Sequence, residues 1–314
     1  MPYRLSDRHF VVAALAGVIV LLGWLLPNAY FLRIATLVWI FALATLGLTV
    51  LIGQAGQVSL GQAGFFGIGA YSAAILPTHF GVSPLVTPFV GAFISGALAF
   101  VVGRPILRLK GHYLAIATLG LGFLISMVLT NEAGWTGGPD GMQVQRPVVF
   151  GVNLRQPAAW YWISAVSLLI GGWLVLNLDG TTTGRAFRAL RDSEVAASVM
   201  GIDVSRMKLR AFVLAAIYAS CAGSLLGLSN GFVTPDQSSF LQSVEMVTMS
   251  VLGGVHSVVG AIVGSAMLVL LPQMLTVMQD YETLVLGAIV VVVMIFLPGG
   301  VVPAIAALTR RRTR

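Results

Sequence analysis

Four neutral polar side chains interrupt an apolar stretch: Gln54, Gln57, Ser59 and Gln62, set among Gly53, Gly56, Gly61 and Gly64. Polar groups within lipid are costly and face a bundle interior. Clustered glycines permit a helix break, and a break frees backbone amides and carbonyls to line a cavity. Uncharged donors and acceptors suit a zwitterion such as an amino acid, whose branched side chain needs only an apolar wall. The same residues equally suit a hydrogen-bonded kink that touches no substrate. Glu245 is the only acidic residue well inside an apolar run, with Ser250 and His256 close by. It would line the pathway, sit near the outer rim, or pair with another helix.

Other chemistry finds few residues to carry it. His9, His79, His112 and His256 are scattered, with no pair at metal-ligand spacing. Cys221 stands alone in an apolar stretch, where a buried, inert thiol is expected. No nucleophile–base constellation is visible, so an enzyme is not expected. A phosphate loop needs Gly-Lys, and neither lysine, Lys110 or Lys208, follows a glycine. ATP hydrolysis, if used, must come from another chain.

The elements that hold these residues are set by lipid. The chain has 314 residues, 57% hydrophobic and 9% charged, against roughly 25% charged in a soluble domain. Mean hydropathy is +0.93. This composition excludes a typical cytosolic enzyme and a disordered chain. A spanning helix needs about 20 apolar residues, and the sequence predicts about ten: 10–26, 31–52, 61–77, 85–103, 112–130, 159–178, 210–229, 241–253, 256–276 and 283–302. The run at 241–253 is too short to cross alone. The first run follows Arg4 and Arg8 as a signal peptide would, but lacks an obvious cleavage site and is read as a retained span. If residues 1–9 are cytoplasmic, every basic residue except Arg33, Arg146 and Arg155 falls on the cytoplasmic side. That bias supports an even number of spans with both termini inside. The net charge of +7 is thereby a matter of topology, not of nucleic-acid binding. The tail Arg310–Arg314 reads as an anchor to anionic lipid.

The expected fold is an all-α polytopic integral membrane protein: one transmembrane domain over 1–314, with a cytoplasmic loop at 179–209 and a periplasmic loop at 131–158. The 36 glycines include Gly223-x-x-x-Gly227 and Gly260-x-x-x-Gly264, spacing that lets helices approach closely in lipid. The outer loop is rich in Gly and Pro and carries Trp135, either an interfacial anchor or a receiving surface for another protein. In the loop 179–209, residues 184–201 predict one helix of about 15 residues. A threonine among Thr181, Thr182 and Thr183 would cap its start and Gly201 its end. One face carries Ala186, Ala189, Leu190, Ser193, Ala196, Ala197 and Met200; on another Arg188 and Asp192 are four apart, and Arg191 and Glu194 are three apart. Such a helix either docks into a partner's groove or lies on its own bundle.

The segment Glu194-Val-Ala-Ala197-Ser-Val-Met-Gly201-Ile202 resembles the cytoplasmic EAA-type loop of ABC-transporter permeases. The stretch from Leu51 to Tyr71 is similar to the signature of the branched-chain amino-acid permease family, the LivM-like kind. So are Gly111-His-Tyr-Leu-Ala-Ile-Ala-Thr-Leu, Thr136-Gly-Gly-Pro-Asp-Gly141 and Val251-Leu-Gly-Gly-Val-His-Ser-Val-Val-Gly260. The resemblance runs collinearly over about residues 30–300. One departure is Gln62, where the family usually has His.

What the resemblance implies is an ABC importer permease fold in the bacterial inner membrane. It implies pairing with a second related permease, two ATPase subunits and a periplasmic binding protein that delivers leucine, isoleucine or valine. The chain itself would bind no cofactor, and ATP would be used by the partners. Arg191, Glu194, Ala197, Gly201 and Asp203 would couple the ATPases to the bundle. Gln54, Gln57, Ser59, Gln62 and Glu245 would line the substrate pathway. The alternatives are an ABC permease for urea, amides or other amino acids, and an ion-driven secondary transporter. The latter would want several buried acids, and only Glu245 qualifies.

Overall fold

The computed structural model describes residues 5–26, 28–149 and 152–274, together with 287, 291, 295 and 299–304. The span expected at 283–302 and the basic tail lie mostly or wholly outside them. The helices are α1 (Leu5–Leu25), α2 (Ala29–Leu48), α3 (Gln62–Phe80), α4 (Thr87–Ile106), α5 (His112–Asn131) and the short α6 (Ala133–Thr136). They continue with α7 (Pro157–Gly180), α8 (Thr182–Asp192), α9 (Glu194–Val199), α10 (Val204–Asn230), α11 (Phe240–Gly253) and α12 (Val258–Met274). Two small antiparallel ribbons complete the described chain. β1 (Met142–Gln143) pairs with β4 (Phe232–Val233), and β2 (Val148–Val149) pairs with β3 (Val152–Asn153).

The β1–β4 pair ties the connection after α6 to the end of α10, so both lie on one face of the bundle. The turn after α4, with Arg108 and Lys110, and the segment 181–203 lie on the other, here called the basic face. At the face opposite, Trp135 packs 4.9 Å from His79 and 6.0 Å from Phe80 between ring centroids.

Among the described residues, five helical segments are long and apolar enough to cross a membrane, fewer than the ten expected: Ala29–Gln54, α4, α5, α7 and α10. The shortfall has physical causes. Helix α3 is walled by protein: every residue from Gln62 to Ala74 is buried except Ile68. A helix that meets protein rather than lipid can carry Gln62, Tyr71 and Ser72 and needs no lipid-like hydropathy. At 1.5 Å per residue, the 14 residues of α11 reach about 21 Å, short of the roughly 30 Å hydrocarbon layer. Irregular chain makes up the difference. The 3₁₀ turn Pro235–Ser238 descends beside α3 until Ser238 touches Gly67. From there α11 continues to the basic face, where Val255 meets Gly53.

Small residues set the packing. Helices α3 and α10 run parallel, with Gln62 beside Ala215, the Phe66 carbonyl against Gly223 and Ala70 against Gly227. Gly260 and Gly264 admit the backbone of Met249 and Gly253 of α11 in the same way. Both small-x-x-x-small pairs are therefore helix contacts. Side-chain hydrogen bonds add to them: Tyr161 Oη donates to the Ile19 carbonyl at 2.7 Å, and Tyr218 Oη to the Gly171 carbonyl at 2.8 Å. Because a side chain at Gly223 would collide with backbone rather than with a movable group, Gly223→Val is expected to push α10 off α3. Overpacking of this kind costs about 1–3 kcal/mol or more, and the variant should be lost from the monodisperse peak on size-exclusion chromatography. A wild-type profile would show that α10 has room to shift.

Candidate functional site

Helix α2 does not end cleanly. Its ladder widens into a π-helical turn, Thr49–Gln54, after which residues 55–61 are non-helical until α3 starts at Gln62. Gly56 sits at φ +68°, a left-handed conformation that glycine adopts without penalty. This segment holds the glutamine–serine cluster. Gln54 closes the π turn and its Oε1 has no partner among the described residues. Gln57 is buried, with neither amide atom bonded among the described residues. Ser59 is buried and its Oγ accepts from the Gly61 amide at 3.4 Å. Gln62 is fully enclosed; Nε2 donates to the Ala215 carbonyl at 2.6 Å, and Oε1 is left over. Leftover buried amide groups are unusual, since each forfeits a hydrogen bond it had in water. Here three consecutive glutamines along the chain carry them.

The loop on the basic face differs from the single helix expected. It is two helices, α8 and α9, divided at Ser193, which lies in the extended region and accepts from the Ala196 amide at 3.2 Å. A serine hydroxyl competes for backbone amides and so starts a new helix rather than continuing the old one. Thr181 caps α8, accepting from the Gly184 amide at 3.2 Å. The division also changes which face is covered. Gly184, Phe187 and Leu190 of α8 and Ala197 of α9 are buried, whereas Ala196 and Met200, expected on the covered face, are exposed. Val195, Val199 and Met200 stand 73%, 83% and 66% exposed, an apolar ridge facing away from the bundle.

Each residue expected to couple has a definite place. Glu194 begins α9 and pairs with the ammonium of Lys208, a buried lysine of α10. Ala197 is fully enclosed, and its carbonyl accepts from the Ile202 amide at 3.0 Å. Gly201 closes α9 at φ +81°. Asp203 caps α10, accepting from the Arg206 amide at 3.0 Å, and pairs with the Arg206 guanidinium at 2.9 Å. Arg191, at the end of α8, reaches into the bundle. Its Nη1 donates to the Gly53 carbonyl at 3.2 Å, inside the π turn. His256, between α11 and α12, places Nδ1 3.0 Å from the same carbonyl. A carbonyl only accepts, so Nδ1 carries the proton. The stem of Arg191 lies so close to Gly56 that a Cβ there would stand 3.1 Å from Cγ. A cavity of about 340 Å³ opens beside this junction, lined by Gln54, Arg191, His256 and the ion-paired Asp179 and Arg188.

Thus Gln54 and Arg191, from the two expected sets, line one cavity beside the Gly53 carbonyl. Glu245 does not join them among the described residues: it is half-buried on α11 and accepts from Gln242 Nε2 at 3.0 Å on its own helix. Lys208, Arg188 and Asp179 escape a reading built on polar clusters, and His256, grouped there with Glu245, meets the Gly53 carbonyl instead. A sequence signal existed for Lys208, one of only two lysines, placed where a span begins. None existed for the Gly53 carbonyl, since every residue has one.

Fold and site together define a multi-pass helical membrane protein whose loop helices are wired to an interrupted central helix, the build of a transport permease. The chain belongs to the family described as the permease component of the branched-chain amino acid transport system, which matches residues 30–294. It is similar to the high-affinity branched-chain amino acid transport system permease protein LivM of Escherichia coli (strain K12), 33% identical over 294 residues, covering 86% of this chain and 69% of that one. It is also similar to the LivH permease of the same system in Salmonella typhimurium, 26% identical over 285 residues (83% and 90% covered). A third relative is the autoinducer 2 import system permease protein LsrC of Klebsiella pneumoniae, 30% identical over 279 residues (83% and 76% covered). No solved structure matches the chain.

Proposed function

We propose that this chain is the membrane-spanning permease subunit of a binding-protein-dependent importer that carries leucine, isoleucine and valine across the inner membrane. Separate ATPase subunits supply the energy, and a second related permease completes the pathway. In this reading the basic face is cytoplasmic. Helices α1, α3, α11 and α12 join the five long segments as crossings of one bundle, and the crossing expected from the sequence at 283–302, mostly outside the described residues, gives the even number that puts both termini inside.

The observation that carries the reading is the Arg191–Gly53 hydrogen bond. It joins α8, the helix that leads directly into the uncovered apolar ridge of α9, to a carbonyl of the π turn from which the interrupted segment departs. An ATPase that covers Val195, Val199 and Met200 holds α8 and α9 as a lever. Movement of the lever pulls the π turn through Arg191 and, through the shared carbonyl, the α11–α12 turn through His256. Residues 55–61 lie downstream of that turn, so Gln57 within them, and Gln54 and Gln62 at their two ends, change exposure with it. Buried, unbonded amides then offer an amino acid's ammonium and carboxylate the partners they lose on leaving water. Weak binding suffices, because the binding protein supplies the affinity and tight binding would slow release.

A relative named for autoinducer 2 import indicates that one scaffold serves more than one cargo, so substrate is tested directly. Proteoliposomes holding the assembled complex should take up labelled leucine when the binding protein and internal ATP are both present. Uptake without ATP, or driven by a proton or sodium gradient, would replace this reading with an ion-driven transporter. Uptake of urea or an amide in preference to leucine would replace the substrate.

Gln57 gives a sharper test. With no hydrogen bond to lose among the described residues, Gln57→Leu removes a desolvated amide and is expected to keep or raise stability, by up to about 1 kcal/mol. Transport should fall several-fold at wild-type expression. Parallel losses of both would assign Gln57 to packing.

A further inference from the structure

Arg33, Arg146 and Arg155 are the three basic residues that break the charge asymmetry of the sequence, and the fold gathers them. Arg33 lies on α2, and the other two lie on the connection between α5 and α7. All three line one cavity of about 140 Å³ at the face opposite the loop helices. None of the three is ion-paired among the described residues, and none of the described residues lining the cavity is acidic. The site is held in shape. The β1–β4 ribbon and the Val144 amide, which donates to the Gly231 carbonyl at 3.0 Å, fix the strand that leads to Arg146. Its guanidinium sits against Gly231, where a Cβ would stand 3.1 Å from Nε and 3.2 Å from Nη2. Trp160 Nε1 donates to the Leu154 carbonyl at 2.9 Å and pins the segment carrying Arg155.

We propose that this cavity is an entry seat for the amino-acid cargo, with the three guanidinium groups taking the α-carboxylate. The proposal rests on the function argued above. Planar guanidinium forks match a carboxylate in two-point geometry. The rest of the wall suits the remainder of an amino acid. Asn230 and Ser229, at the carbonyl-rich C-terminal end of α10, offer acceptors for an ammonium. Ser229 Oγ donates to the Leu226 carbonyl and keeps its lone pairs. Leu37 and Trp160 supply an apolar side for a branched chain. The small volume admits the carboxylate end and its neighbouring carbons. An amino acid leaving its delivery protein would be held here by its charge before it moves inward to the neutral glutamines.

The test uses the assembled complex in nanodiscs without nucleotide, with binding read by thermal shift against leucine, acetate and leucinol. Leucine and acetate are expected to stabilise it and leucinol, which lacks the carboxylate, is not. Arg146→Gln should weaken apparent leucine affinity by about tenfold or more, the scale of one lost charge-assisted contact. Arg146→Lys should weaken it less, and size-exclusion profiles report that each variant is folded. Equal stabilisation by leucinol, or unchanged affinity in folded Arg146→Gln and in the triple glutamine variant, would overturn the seat. So would an arginine-dependent shift that follows phosphatidylglycerol content while leucine has no effect, since a lipid headgroup would then occupy the cavity. ATP-driven leucine uptake is measured on the same preparations. Uptake without binding at the cavity refutes the seat alone, whereas absence of any amino-acid uptake refutes the function on which it rests.

Discussion

Arg191→Ala is expected to cut leucine uptake per ATP hydrolysed on the order of tenfold, within the usual range for a coupling free energy, while the bundle stays assembled. The Gly53 carbonyl keeps its second donor, His256 Nδ1, so truncating Arg191 leaves no buried carbonyl unpaired. What is lost is the hydrogen bond that ties α8 to the π turn, together with an exposed ion pair to the neighbouring Asp192 at 3.0 Å, which is worth little. ATPase activity should persist and become less sensitive to the binding protein, because the lever moves without moving the turn. Arg191→Lys keeps the charge but not the planar fork and should fall between. Adding His256→Ala to Arg191→Ala removes both donors from one buried carbonyl. The two changes should then cost more stability together than the sum of each alone. Liposomes measured for uptake and phosphate release in parallel give the ratio directly. An unchanged ratio in Arg191→Ala would remove this contact from the coupling path.

How far the sequence foretold this arrangement depends on the kind of signal. Apolar length and basic asymmetry are properties of many residues at once, and they placed α2, α4, α5, α7 and α10 within a few positions. They placed α3 too, expected at 61–77, but not its surroundings: Gln62, Tyr71 and Ser72 are carried in it because protein walls it. They also left 241–253 short, because a crossing shared between helix and irregular chain has no periodic signature. Glycine spacing marked both close helix contacts, since only a missing Cβ lets two backbones touch. The loop helix was legible as a helix and not as two, because the choice at Ser193 turns on one hydroxyl finding the Ala196 amide. Arg191 stood out as a charge on the coupling helix, but its contact did not, since its partner is a main-chain carbonyl 138 residues away. The exceptions to the charge rule were visible from the start as Arg33, Arg146 and Arg155, but only the fold brings them to one cavity.

Glu194 and Lys208 should show the largest stability effect, and one that a simple coupling role does not predict. Lys208 is buried, and Glu194 is its only ion-pair partner among the described residues. Removing one member of a buried pair leaves an uncompensated charge and costs about 3–5 kcal/mol, whereas replacing both by apolar residues is often neutral or stabilising. Glu194 keeps 38% of its side chain exposed, so water screens part of that cost, and about 2 kcal/mol is expected for Glu194→Ala. Lys208→Met should cost less, since the carboxylate left behind reaches solvent. The double variant Glu194→Ala/Lys208→Met should recover most of the lost melting temperature. ATPase stimulation by the binding protein should stay low in the double variant, because α9 is then no longer tied to α10 by the charge pair that fixes its angle. This combination separates the two roles. If the double variant regains stability and stimulation together, the ion pair is a strut and α9 transmits motion through its apolar ridge. If stability returns and stimulation does not, the pair itself sets the position from which the ATPases drive the bundle.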